Sequence, residues 1–141
     1  MSRTVSVHSE PLKYAQKICV GPHVFHSDEA SDLEGTDAGP NPDELLMTAL
    51  GACANITARM YAERKRWPLL GVEATLKYER VCTDGSAPPG ANNTVVDQIE
   101  MVISFAGDLS EEQQQRLFEI ANRCPIHRML VSHVQIRSEL C

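Results

Sequence analysis

A chain of 141 residues with 43% apolar side chains has the length of one domain, here taken as 1–141, and enough apolar mass for a core; a disordered chain is excluded. The net charge of −6, with Arg64-Lys65-Arg66 as the one clustered basic run, disfavours nucleic acid as the main partner. Residues 1–20 lack the apolar stretch of a secretory signal, and the uncharged run Leu45–Ala58 is too short to span a bilayer, so a soluble, cytoplasmic protein with no membrane partner is expected.

In chain order, Val5 and Val7 alternate with polar neighbours, as do Ile18 and Val20, which predicts short strands. Gly21-Pro22 marks a turn, and His23–His26 reads as the returning strand. Residues 27–42, rich in Asp, Gly and Pro, form a polar loop. Asn41-Pro42-Asp43-Glu44 is a helix start: a capping Asn, Pro at the first position and acids in the first turn. The helix is predicted to run to about Arg66. Leu46, Leu50, Cys53, Thr57 and Met60 form one stripe, and Leu45, Ala49, Ala52 and Ile56 a neighbouring one. A helix apolar nearly all round must be covered on all sides. A homodimer centred on it is the simplest way for so small a chain to do so.

Trp67-Pro68 ends the helix. Val72, Ala74, Leu76 and Tyr78 alternate with Glu73, Thr75, Lys77 and Glu79, the pattern of a half-buried strand. Residues 82–93 read as a loop or wide hairpin connection, and Val95 to Phe105 as its second strand. Ser110 caps a second helix carrying Leu117, Ile120 and Ala121. A short helical turn follows Asn122-Arg123-Cys124-Pro125 and reaches about Leu130; Val131 to Leu140 reads as a final strand. The class is α+β with mostly antiparallel strands.

Five cysteines, Cys19, Cys53, Cys82, Cys124 and Cys141, are an odd number at wide spacings with no CxxC pair, which in a reducing compartment argues against a disulfide framework. Pro125 fits the first position of a helix and makes Cys124 its N-cap. That place, with Arg123, His127 and Arg128 nearby, is expected to lower the thiol pKa. The other reading is a small buried residue at a cap. Cys53, in mid-helix within LGACANIT, reads by itself as core, inert unless a cation or a second thiol stands close. Cys124 with His127, and His23 with His26, are two-ligand spacings without a matching second half, so no metal site is expected. There is no GxSxG, and GTDAGP lacks the lysine and preceding strand of a phosphate loop.

Taken together, a loop ending GTDAGPNPDELL, an apolar helix carrying LGACANITARMYAERKRWPL, a two-strand hairpin, a second helix and NRCPIHR resemble the OsmC/Ohr superfamily, osmotically inducible protein C and the organic hydroperoxide resistance proteins. The resemblance runs from about residue 15 to 140 and is nearest to its general OsmC-like branch. It implies an OsmC-like fold: antiparallel sheets wrapped around a long central apolar helix, in an intertwined homodimer. It also implies a thiol-dependent peroxidase of the stress response that reduces organic hydroperoxides, and often hydrogen peroxide. Cys53 matches the family's peroxidatic cysteine and Cys124 its resolving cysteine, 71 residues apart in sequence. An external dithiol, a lipoyl-protein or a small thiol, would reduce the resulting disulfide, and no organic or metal cofactor is implied. The other function the resemblance allows is a non-catalytic protein of the same fold, holding a small lipophilic ligand at the dimer interface.

Two positions depart from the family. Its peroxidases pair an arginine of the N-terminal loop with a glutamate; here the glutamate's position holds Asp43, followed by Glu44, and residues 4–58 contain no arginine. Arg59, Arg123 and Arg128 are the candidate replacements. Asp43 precedes Cys53 by ten residues, about 15 Å along a helix, so Asp43 or Glu44 must serve the site over a longer distance or from a partner subunit, and the pocket is expected at the dimer interface.

Overall fold

The computed structural model describes residues 4–82 and 95–141. Strands β1 (Val5–Ser9), β2 (Gln16–Val20) and β3 (His23–Ser27) precede helix α1 (Pro42–Lys65); then come β4 (Leu69–Cys82), β5 (Val95–Gly107), α2 (Glu111–Ala121) and α3 (Pro125–Leu130). The chain forms two compact units that divide between Leu46 and Met47.

The first unit is an antiparallel sheet in the order β1-β2-β3. Its register pairs Val7 with Ile18 and Ile18 with Phe25, so these side chains share one face. The turn between β2 and β3 is Gly21-Pro22, with Gly21 at φ 55°, as a tight hairpin with glycine at its first central position requires. The polar loop after β3 is organised by Asp28. Its carboxylate accepts hydrogen bonds from the backbone N–H of Glu29 (2.7 Å), Thr36 (3.0 Å) and Ala38 (3.3 Å), and from the Thr36 hydroxyl. The Ser27 hydroxyl donates to the carbonyl of Pro40 at 2.8 Å. Glycine is needed at position 35, where a Cβ would lie 1.9 Å from the carbonyl oxygen of Glu29. The α1 start is a reciprocal cap: Asn41 Oδ1 accepts from the Glu44 N–H, and the Glu44 carboxylate accepts from the Asn41 N–H, each at 2.8 Å.

In the second unit α1 buries Leu50, Gly51, Ala54, Ala58 and Ala62. Small residues at four-residue steps let neighbouring elements approach the helix backbone closely. The chain itself therefore covers one side of α1. Ala49, Ala52, Ile56 and Met60 are exposed, the side that the single chain leaves uncovered. The helix ends in two C-terminal bonds, Arg66 N–H to the Glu63 carbonyl (3.1 Å) and Trp67 N–H to the Ala62 carbonyl (2.9 Å), with Arg66 in the left-handed region at φ 57°.

Strands β4 and β5 form a long antiparallel ladder. Residues 83–94, which hold the predicted connection, lie outside the described residues. The cross-strand pairs Val72–Phe105, Ala74–Ile103 and Leu76–Met101 share one face. Val72, Leu76, Met101, Ile103 and Phe105 pack on the core of α1 and α2. Glu73, Thr75 and Lys77 take the other face, as their alternation predicts. Helix α2 opens on a capping box: Ser110 Oγ accepts from the Gln113 N–H at 3.1 Å, and the Gln113 side chain accepts from the Ser110 N–H at 3.0 Å. Its inner face is Leu117 and Ala121, both fully buried. After α3 the predicted final strand is absent: residues 132–141 carry no regular structure beyond the bend that follows Val131. A strand exists only where a neighbour takes its backbone hydrogen bonds, and among the described residues none pairs with this segment. Its apolar side chains stay in the open, Ile136 at 86% exposure.

Candidate active site

Cys53 projects from the fourth turn of α1, and Cys124 stands at the start of α3. The helix brings Cys53 to the core because its neighbours Gly51 and Ala54 are small and buried. Cys124 is fixed by Pro125: the proline opens α3, and Cys124 takes the extended N-cap conformation (φ −63°, ψ 153°) with its sulfur accepting from the backbone N–H of His127 at 3.4 Å. Cys124 is 0% exposed and belongs to the apolar cluster of Leu50, Ala54, Ala58, Leu117 and Ala121, against which the half-buried Cys53 packs. The two thiols are near enough to influence each other electrostatically. Both are free, as are Cys19, Cys82 and Cys141.

The electrostatics of Cys124 reverse the expectation drawn from its cap. Its pKa is raised above the ordinary 9.0. Burial is the largest cause; the nearness and charge of Cys53 push the same way, and the amides of His127 and Ile126 oppose without prevailing. Removing a thiolate from water costs more than the helix-end amides return. The expected help from Arg123 and Arg128 is weak because both side chains are exposed to water, which screens them.

Asp43 and Glu44 belong to the N-terminal end of α1. They occupy its first turn, where Glu44 closes the cap with Asn41. Arg59 is engaged elsewhere: its guanidinium donates to the carbonyls of Leu69 (3.3 Å) and Leu70 (3.1 Å) where α1 passes into β4. His127 meets Cys124 through its backbone N–H. Among the described residues no group of three or more His, Cys, Asp or Glu side chains can hold a metal ion, and no helix is long and apolar enough to cross a membrane.

One contact escaped the sequence reading. Arg116 of α2 donates from Nε to the Tyr61 hydroxyl at 3.1 Å, and its other arm reaches the Glu119 carboxylate at 3.1 Å. Arg64, Lys65 and Arg116 all stand within 5.9 Å of the Tyr61 ring centre, and Trp67 meets the ring edge-on at 5.5 Å. The hydroxyl's pKa is lowered, chiefly by the Arg116 hydrogen bond, against an opposing contribution from burial. The signal was present as spacing: Tyr61 lies eight residues after Cys53, and Arg116 eight before Cys124.

Compared with known proteins, residues 35–139 match the family model described as OsmC-like protein. The chain belongs to the OsmC-like family. No curated protein matches the sequence. Solved structures share the fold at low identity. An OsmC-like protein from Mycoplasma pneumoniae aligns with TM-score 0.72 at 16% identity, over 92% of this chain and 87% of that one. An organic hydroperoxide resistance protein from Legionella pneumophila aligns at 0.68 and 15%, over 93% and 90%. The organic hydroperoxide resistance protein OhrB of Bacillus subtilis aligns at 0.63 and 18%, over 93% and 91%. The OsmC-like architecture expected from the motifs, α+β with antiparallel sheets, is therefore the one found.

Proposed function

We propose that this OsmC-like chain is a two-cysteine, thiol-dependent peroxidase that reduces organic hydroperoxides. The carrying observation is that Cys53 packs against the buried cluster that contains Cys124, although the two thiols are 71 residues apart in sequence. Several solved relatives that bear the name organic hydroperoxide resistance protein add support.

The chemistry balances with these two residues and a hydroperoxide. The Cys53 thiolate attacks the O–O bond, keeps one oxygen as a sulfenic acid, and releases the other with the organic group as an alcohol. Cys124 then displaces water from the sulfenic sulfur to form the disulfide. An external dithiol restores both thiols by exchange and leaves as its own disulfide. The division of roles follows exposure: the half-buried Cys53 can be reached, whereas the fully buried, protonated Cys124 can react only with a neighbour.

The working form in this proposal is a homodimer. The exposed apolar stripe of α1, with Ile56 at 60% and Met60 at 58% exposure, supports a second copy lying along it. In that arrangement Asp43 or Glu44 of one subunit serves the thiols of the other.

The test is a free-thiol count with peptide mapping after one equivalent of an organic hydroperoxide. A rapid Cys53–Cys124 disulfide, absent in Cys53→Ser, is expected. Two thiols that remain free in folded protein would end the peroxidase reading and turn attention to a lipophilic ligand.

A further inference from the structure

Bringing Cys53 against the cluster that holds Cys124 requires α1 and α2 to be held in one register. The two helices run in opposite senses at this interface: Cys53 leads to Tyr61 along α1, and Arg116 leads back to Cys124 through α2. Between those ends the buried residues are Ala54, Ala58, Leu117 and Ala121. Small apolar surfaces of this kind give non-directional attraction and specify axial position poorly. The directional contact is the Arg116 Nε hydrogen bond to the Tyr61 hydroxyl. Both partners are themselves fixed. Glu119 holds the guanidinium from its other side, and Trp67, Arg64 and Lys65 crowd the Tyr61 ring.

We infer that Tyr61 and Arg116 are positioning residues, a clamp between α1 and α2 that holds Cys124 within closing distance of Cys53. The magnitudes favour a real effect. A disulfide tolerates Cα separations of only about 4.4–6.8 Å. A slip of one residue along a helix is already about 1.5 Å, a large part of that window. Closure also competes with further oxidation. A sulfenic acid that waits for its partner thiol is exposed to a second peroxide and the irreversible sulfinic acid. The clamp therefore acts on the second step of the cycle, not the first. For that kinetic consequence the inference rests on the proposed peroxidase cycle; the effect on the disulfide equilibrium does not depend on it.

The experiment separates the two. Wild type, Tyr61→Phe, Arg116→Gln and the double variant are oxidised with diamide, which needs no peroxide chemistry, and equilibrated against dithiothreitol. Loss of a hydrogen bond to a charged group should lower the Cys53–Cys124 disulfide equilibrium constant by about tenfold. The double variant should lose no more than either single, because one interaction is shared. With excess hydroperoxide, the variants should accumulate Cys53 sulfinic acid, the second equivalent of peroxide being the oxidant, while the rate of first oxidation stays within about twofold of wild type. Ser110→Ala is the control: it removes the α2 cap and should lower stability without moving the disulfide equilibrium. Folded variants with wild-type disulfide equilibria would overturn the clamp. Should Arg116→Gln fail to fold, Tyr61→Phe decides alone, since it deletes one oxygen and keeps the ring contacts. If diamide closes the disulfide in wild type but hydroperoxide does not, the peroxidase reading fails and the clamp is still judged by the equilibria.

Discussion

Cys124 lies fully buried against the half-buried Cys53, and burial holds its thiol in the protonated form above its ordinary pKa of 9.0. Alkylation of the reduced protein at neutral pH should therefore label Cys53 before Cys124. The sign for stability follows. A raised thiol pKa means the fold prefers the protonated form, so its stabilising contribution is complete below the unfolded thiol pKa and is lost as pH rises through the higher folded value. Labelling of Cys124 should accelerate only in that alkaline range. Peptide mass spectrometry across pH reads both events; prior labelling of Cys124 at neutral pH would show that its burial is not maintained in solution.

Asp28 carries the opposite sign. Its pKa is lowered from 3.8, first by the Thr36 hydroxyl, then, against the cost of burial, by the amides of Ala38, Glu29 and Thr36. Its contribution is present above the ordinary carboxylate pKa and is lost as pH falls through the depressed folded value. Asp28→Ala should lower Tm at neutral pH and speed hydrogen exchange at the amides of Thr36 and Ala38. The wild-type advantage over the variant should shrink toward strongly acidic pH. An advantage unchanged down to that range would remove the carboxylate from the account.

What the sequence disclosed here was mostly local. Asn41-Pro42-Asp43-Glu44 and Ser110 announced their helices because capping is a matter of three or four consecutive residues, and both caps formed as predicted. The alternation from Val72 to Glu79 named the inner face of β4 before any partner was known. Val131–Leu140 failed for the complementary reason: alternation describes a strand's faces but cannot supply the neighbour it must pair with. The N-cap of Cys124 was legible and its pKa was not, because burial arises from Leu117, Ala121 and α1, remote in sequence. Tyr61 and Arg116 went unnoticed as a pair because 55 residues separate them.

Gly51 measures how closely β4 approaches α1. A Cβ at this position would lie 2.8 Å from the Leu76 Cδ1 and 3.9 Å from the Ala74 Cβ. The nearer atom is the end of a flexible side chain, so Gly51→Ala requires a small shift of Leu76. The gain in helix propensity, about 1 kcal/mol, opposes that cost, and the net change should be near zero by chemical denaturation. Gly51→Val adds two more carbons against the hairpin and should destabilise by roughly 1–3 kcal/mol. Equal stabilities for the two variants would mean that the hairpin does not press on α1 here.

Ile56 tests the exposed side of the same helix. At 60% exposure its side chain contributes little to the core of its own chain, so Ile56→Glu should leave the fold intact. If a second copy covers α1, a buried charge there has no partner and the assembly should dissociate. Sedimentation of wild type and variant at matched concentration reads the change: a wild type already monomeric would remove the dimer from the proposed function.

Arg66 offers a gain rather than a loss. It sits at the position just past α1 with φ 57°, between two backbone bonds that close the helix end, to Glu63 and from Trp67 to Ala62. A side chain in this left-handed conformation costs about 1–2 kcal/mol, and glycine adopts it freely. Glycine also makes the unfolded chain more flexible, which returns part of the gain, roughly 0.5–1 kcal/mol. Arg66→Gly should therefore raise stability by about 1 kcal/mol or less, with the thiol pair unaffected. Arg66→Ala is the informative companion, since it removes the same charge and keeps the strain. If the two variants unfold at the same denaturant concentration, the change comes from the charge and not from the backbone.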